Sequence, residues 1–379
     1  MKTSGISGNE MYCLVQQGYN PGEVAVGNSV YSIGMIGSIA TSFRNIIGGE
    51  VYEVTEFIQK GRELAIERLE AEVKKQGEVG ITDVGTELIR HADSSNIEFL
   101  SIGSGLYRNS ETPGEFEFSS SIDGTELYCN HDAGYQAKHF VFGNVAYAIG
   151  AVGGIIGSLK TMGRGEVKEF SDVLNRTRHL ALERIVSEAK QFGANSVMNI
   201  ETRIIPYTPG ITEMVMIGTA SNNPNLDPKF ITDPVTSDLT SSELWSITKM
   251  GYQPLKLVMG TSVYSLGIIG SFKSAFKALL KGEISDLTTL IYEARENAIG
   301  IISSEAKSIG ADDVIGTKVY MYDMGNGLLE FMAIGTAIKK VDGLKTKSEE
   351  LIPQAIILDK NTFFNNAQYS AIGRGMSPV

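Results

Sequence analysis

The chain has 379 residues, 42% apolar and 20% charged, with 33 basic and 44 acidic side chains and a net charge of −11. That is the composition of a globular protein long enough for two or three domains, and the scattered basic residues argue against a nucleic-acid-binding surface. Two cysteines argue against a disulfide framework and fit a reducing cytoplasm, and Met1–Glu10 has no apolar stretch behind Lys2 that would make it a secretory signal.

One stretch, Gly134–Glu188, recurs. Moving back 116 positions brings Gly18-Tyr19, Gly27, Tyr31, Gly34, Gly37, Arg62 and Glu72 into its register, and moving forward 117 brings in Gly251-Tyr252, Gly260, Tyr264, Gly267, Gly270, Arg295 and Glu305. Three copies of one unit are therefore laid end to end. The boundaries read as repeat 1 over 8–107, repeat 2 over 125–221 and repeat 3 over 242–340. Linkers 108–124 and 222–241, rich in Ser, Pro, Asp and Asn, read as surface segments, and 341–379 as a tail.

Each repeat is expected to begin with a short strand, at Met11–Gln16, Leu127–Asp132 and Leu244–Lys249. A Gly-Tyr step leads to a second extended run, Glu23–Gly27 or Lys138–Gly143, whose Val, Phe and Tyr favour strand. A glycine-rich turn and a short apolar helix follow, Ile39–Ile47 in repeat 1. Two runs here, Val24–Phe43 and Phe140–Leu159, are free of charge for twenty residues, the length of a membrane span. The third, Leu257–Phe272, is shorter and is followed by Lys273 and Lys277, so a strand, a turn and a buried helix explain all three better than a spanning segment.

The spacing next predicts a long amphipathic helix, with Val167, Phe170, Leu174, Ala181, Ile185 and Ala189 on one stripe, ended by Gly77, Gly193 and Gly310. Two strands complete each unit: Ile81–Ile89 with Ile97–Gly105, Ser196–Ile204 with Thr212–Ala220, and Asp313–Met321 with Leu328–Ile338. In the tail, apolar Leu351–Leu358 and Phe363-Phe364 predict a docked peptide or short strand.

Arg44-Asn45-Ile46-Ile47-Gly48-Gly49-Glu50, followed by a helix holding Arg62-Glu63-Leu64-Ala65, resembles the YbjQ family, also called UPF0145, which carries a heavy-metal-binding label. Repeat 2 adds Glu188-Ala189-Lys190-Gln191-Phe192-Gly193-Ala194-Asn195-Ser196-Val197, and repeat 3 the similar Glu305–Val314. Repeat 1 departs at Gln76–Ile81, and repeat 3 offers Gly282-Glu283 without the double glycine. The resemblance implies an α+β, dodecin-like unit: an antiparallel sheet packed on one long helix, plus a short helix. It further implies rings, because single-domain relatives form pentamers, and it implies no established reaction.

For metal, the candidate ligands are the equivalent Cys13 and Cys129, with His131; Ser246 stands at the third position, and no C-x-x-C or H-x-x-x-H accompanies them. The glycines Gly34, Gly37, Gly150, Gly153, Gly267 and Gly270 read as close backbone packing or a subunit contact, since no Gly-Lys-Ser/Thr marks a phosphate loop. Recurrent charges form two further sets: Arg62, Arg178 and Arg295 on the long helix, and Glu98, Glu213 and Glu330 on the last strand. Their apolar neighbours predict an Arg–Glu pairing within each domain or across domains, Arg178 with Glu213 for example. Ser, His and acid residues do not recur as a set, so no catalytic residues or cofactor are assigned. The sequence therefore predicts a non-enzymatic, cytoplasmic homo-oligomer, five-fold or larger, whose function is the ring or shell it builds, with no nucleic-acid partner and no transmembrane segment. The alternative is a ring that binds metal or a small ligand at subunit junctions.

Overall fold

The computed structural model describes residues 3–32, 49–90, 96–108, 114–148, 165–208, 211–265, 285–325 and 327–357. These residues form seven α-helices and thirteen strands, an α+β architecture in which one unit occurs three times. The recurrent glycines Gly34, Gly37, Gly150, Gly153, Gly267 and Gly270, the Ile39–Ile47 helix and Phe363-Phe364 lie outside the described residues.

Each unit opens with a nine-residue helix, at Gly8–Gln16, Gly124–Asp132 and Ser241–Lys249. These segments were expected to be strands, and the caps explain the difference. Ser7, Asp123 and Thr240 accept hydrogen bonds from the backbone N–H groups of Glu10, Glu126 and Glu243, satisfying donors that a helix start leaves open. In the first and third helices the glutamate also reaches back to the cap, closing a capping box.

Three long strands follow in each unit. They are Tyr19–Ser32, Gly80–Arg90 and Asn96–Arg108 in repeat 1; Gln136–Ala148, Ser196–Thr208 and Ile211–Asn222 in repeat 2; and Tyr252–Ser265, Asp313–Gly325 and Leu328–Lys340 in repeat 3. The third strand always lies in the middle, antiparallel to both others. The charge-free runs that reach spanning length begin inside first strands, and no helix among the described residues is long and apolar enough to cross a membrane. The second strand carries a bulge at a left-handed residue in every unit: Asp83 (φ 54), Asn199 (φ 57) and Gly316 (φ 64).

Between the first and second strands runs a 24-residue helix, Tyr52–Lys75, Lys168–Gln191 or Ser285–Ser308. The glycines expected to end it do so with positive φ, Gly77 at 75°, Gly193 at 67° and Gly310 at 71°. The helix lies so close to its own first strand that a Cβ on Gly27, Gly143 or Gly260 would stand 2.0, 2.2 or 2.4 Å from the carbonyl oxygen of Ala65, Ala181 or Ala298. Glycine is required there by backbone-to-backbone packing.

The linkers are more than surface connections. Phe118-Ser119 adds a parallel strand to Gly80-Ile81, and Val235-Thr236 adds one to Ser196-Val197, so each linker extends the sheet it has just left. Phe118, Ser120, Val235, Ser237 and Leu239 are buried as a result. The tail docks on the opening helices: Ser348 Oγ donates to Asp132 Oδ1 at 2.6 Å, Lys347 N donates to Asp132 O at 2.9 Å, and Pro353–Ala355 forms a short 3-10 helix.

Candidate functional site

The long helices pack on two sheets at once. One face of Tyr52–Lys75 covers its own sheet through Ala65, Ile97 and Phe99, and the same apolar cluster takes in Ala146, Ala148, Tyr207 and Ile211 of repeat 2. Lys168–Gln191 repeats the arrangement, its cluster continuing into Leu257, Met259, Val263 and Met332 of repeat 3. Each junction between repeats is therefore a shared core, and the recurrent charges lie inside it.

Arg62 and Glu213 pair across the first junction, with Nη2 to Oε2 at 2.8 Å and Nη1 also donating to Oε1. Arg178 and Glu330 pair across the second, with Nη2 donating to Oε1 at 2.7 Å and to Oε2 at 2.9 Å. Arg178 Nη2 also donates to the hydroxyl of Tyr147 at 2.8 Å, and its guanidinium sits 4.6 Å from that ring. All four charged groups are at most 1% exposed. Burial works against the guanidinium charge, but the glutamate outweighs it, and the pKa values of Arg62 and Arg178 are raised. Arg178 therefore does not pair with Glu213. The arginine of one repeat pairs with the glutamate of the next, because its helix face is turned toward the following sheet.

Other polar contacts repeat at the two junctions. Gly49-Glu50 adds a short antiparallel strand to Tyr147-Ala148, and Gly165-Glu166 does the same to Tyr264-Ser265. Thr55 Oγ1 accepts from Ala146 N, and Ser171 Oγ from Val263 N, both at 2.9 Å. A histidine bridges each junction as well, His139 Nε2 with Glu70 Oε1 at 2.9 Å and His179 Nε2 with Glu305 Oε1 at 3.3 Å. Glu72, Glu188 and Glu305 brace each repeat internally, accepting from the N–H groups of Val26, Phe142 and Met259.

Arg295 and Glu98, the remaining members of the two charge sets, are not joined. Arg295 is exposed on the last long helix, and Glu98 is half-buried on the first sheet, accepting from Asn28 Nδ2 at 3.0 Å.

Cys13 and Cys129 are equivalent residues of the first two opening helices and share one apolar cluster with Ala355. Burial pushes both thiols up to about 12. Cys129 Sγ donates to the Ala355 carbonyl at 3.9 Å. His131 is half-buried with its pKa lowered by desolvation. Protonated thiols under an apolar tail do not fit a metal, which needs thiolates and converging ligands. Among the described residues no group of three His, Cys, Asp or Glu side chains is arranged to hold one.

The sequence reading missed the edge strands, the Thr55 and Ser171 contacts and the histidine bridges. A signal existed for the first two: Thr55, Ser171 and Thr288 are equivalent hydroxyl residues five positions beyond Glu50, Glu166 and Glu283.

The fold and its junctions define a tandem α+β protein whose repeats dock head to tail through buried Arg–Glu pairs. The chain belongs to the YbjQ family, described as "putative heavy-metal-binding", whose profile matches residues 19–98, 129–223 and 246–341. It is similar to an encapsulin nanocompartment protein of Mycobacterium tuberculosis, 29% identical over 243 residues that cover 60% of this chain and 90% of that protein. Single repeats are similar to UPF0145 proteins, among them one of Enterococcus faecalis, 33% identical over 26% of this chain and 92% of that protein, and one of Thermosipho africanus, 39% identical over 22% and 79%.

Proposed function

We propose that this protein is a non-enzymatic, cytoplasmic building block that self-assembles into a ring, stacked rings or a closed shell of five-fold or larger order. The observation that carries the reading is the junction, in which the first and second long helices each bury a second face under the following sheet. An interface that uses a shared core and a buried ion pair twice within one chain is a strong docking surface, and fusing repeats raises its effective concentration. The relative named for an encapsulin nanocompartment supports assembly into a shell.

The test is native mass spectrometry of the purified protein, before and after chelator. Species at multiples of the 41.0 kDa chain support assembly, a species of five chains fits a ring, and megadalton species fit a shell. A monomer at every concentration overturns the reading. Mass that chelator removes would favour the metal-binding ring instead.

A further inference from the structure

The junction used twice inside the chain leaves one unmatched half at each end. At the front, the outer face of the first sheet presents Val26 and Val30, 46% and 55% exposed. Their counterparts Phe142 and Ala146 in repeat 2, and Met259 and Val263 in repeat 3, are 5% exposed or less, because the preceding long helix covers them. At the back, Arg295 and Thr288 on the last long helix are exposed, whereas Arg62 and Thr55, and Arg178 and Ser171, are buried under the following sheet. The two ends are therefore the two halves of one surface, and they are complementary in charge: Arg295 behind, Glu98 in front.

We propose that the partner for both ends is a second copy of this chain. The helix Ser285–Ser308 of one copy docks on the first sheet of the next, placing its Arg295 against Glu98 and its Thr288 beside the N–H of Val30. This inference rests on the self-assembly reading above and adds to it the residues and the direction of the contact. The occupant follows from continuity with the internal junctions, since the sheet face and helix face that meet there are the same elements at the same positions. Such a contact is heterologous: each copy gives one surface and takes the other, so the chain of copies closes into rings or extends without a two-fold axis.

The test uses the full chain and two surface variants. Arg295→Glu spoils the back end, and Val30→Glu spoils the front by placing a charge where the counterparts are fully covered. Both positions are exposed, so the variants keep the wild-type circular dichroism spectrum and a cooperative melting transition. Each is expected to lose the high-mass species by native mass spectrometry and run as monomer. Mixed together they are expected to form two-chain species and nothing larger, because the Arg295→Glu chain keeps an intact front and the Val30→Glu chain an intact back. Combining Arg295→Glu with Glu98→Arg is expected to restore assembly. If the wild type assembles and both single variants assemble as it does, the head-to-tail contact is wrong while self-assembly stands. If the variants are monomeric but their mixture stays monomeric, a heterologous contact is likewise ruled out. A monomeric wild type removes both ideas together.

Discussion

Arg62 and Glu213 are 151 residues apart in sequence and meet as a fully buried ion pair, one on the helix of repeat 1 and the other on the middle strand of repeat 2. Two charges taken from water at such a place are held by each other, so loss of one strands the other. Arg62→Met is expected to lower folding stability by about 3–5 kcal/mol in denaturant titration. Arg62→Met with Glu213→Leu should recover most of that loss, because no charge is left behind. Equal destabilisation by the single and double changes would show that packing, not the orphaned charge, sets the cost.

Gly143 tests the close contact inside repeat 2. A methyl group there would stand 2.2 Å from the Ala181 carbonyl oxygen and 2.5 Å from the Ile185 nitrogen, both helix backbone that cannot swing aside. Gly143→Ala is expected to cost about 1–3 kcal/mol and lower the melting temperature. Gly8→Ala is the control, with open space around its Cβ, and should leave the protein as stable or slightly more so.

Legibility in the sequence followed the strength of local signals. The long helices were plain because an apolar stripe and a terminal glycine agree, as at Ala181, Ile185, Ala189 and Gly193. The opening helices were misread because nine residues such as Gly8–Gln16 are too short for helical periodicity to outweigh a run of apolar residues. The decisive sign was the cap, Ser7 followed by Glu10, which stands just before the segment. At the junctions, the equivalence of Arg62, Arg178 and Arg295 marked the right residues. Which glutamate each arginine meets depends on the direction of the helix face, a tertiary property that spacing within one repeat does not carry.

Asp83 supplies a pH dependence. Burial, together with Asp123 and Glu10, pushes its carboxyl up to about 7, and burial with Asp123 pushes Glu126 up to about 8. A carboxyl whose pKa is raised on folding favours the folded state while it is protonated and loses that contribution as pH rises through the folded value. Melting temperature should therefore fall between about pH 5 and pH 8. Asp83→Asn should flatten this slope and raise the melting temperature at pH 8, since asparagine already holds the same left-handed position at Asn199. An unchanged slope would place the titrating groups elsewhere.

Cys13 and Cys129 should be silent to thiol reagents in the native protein. With both pKa values near 12 against an ordinary 9.0, the thiolate is about a thousandfold scarcer, and the buried sulfurs offer little access. Ellman's reagent should report little reaction under native conditions and two thiols in denaturant. Rapid native modification of either cysteine would show that the tail segment carrying Pro353–Ala355 leaves its seat.

The helix that waits for a following sheet also imposes an order on synthesis. When repeat 1 leaves the ribosome, Tyr52–Lys75 can settle on its own sheet, but its second apolar face stays uncovered until the strands of repeat 2 have emerged. At ordinary elongation rates a repeat of 116 residues takes roughly 6–23 s to appear. For that interval the nascent chain offers a sticky flank to every other chain on the same message. A polysome would thus be the place where premature pairing is most dangerous and, on the assembly proposed above, the place where copies of one particle would already be gathered.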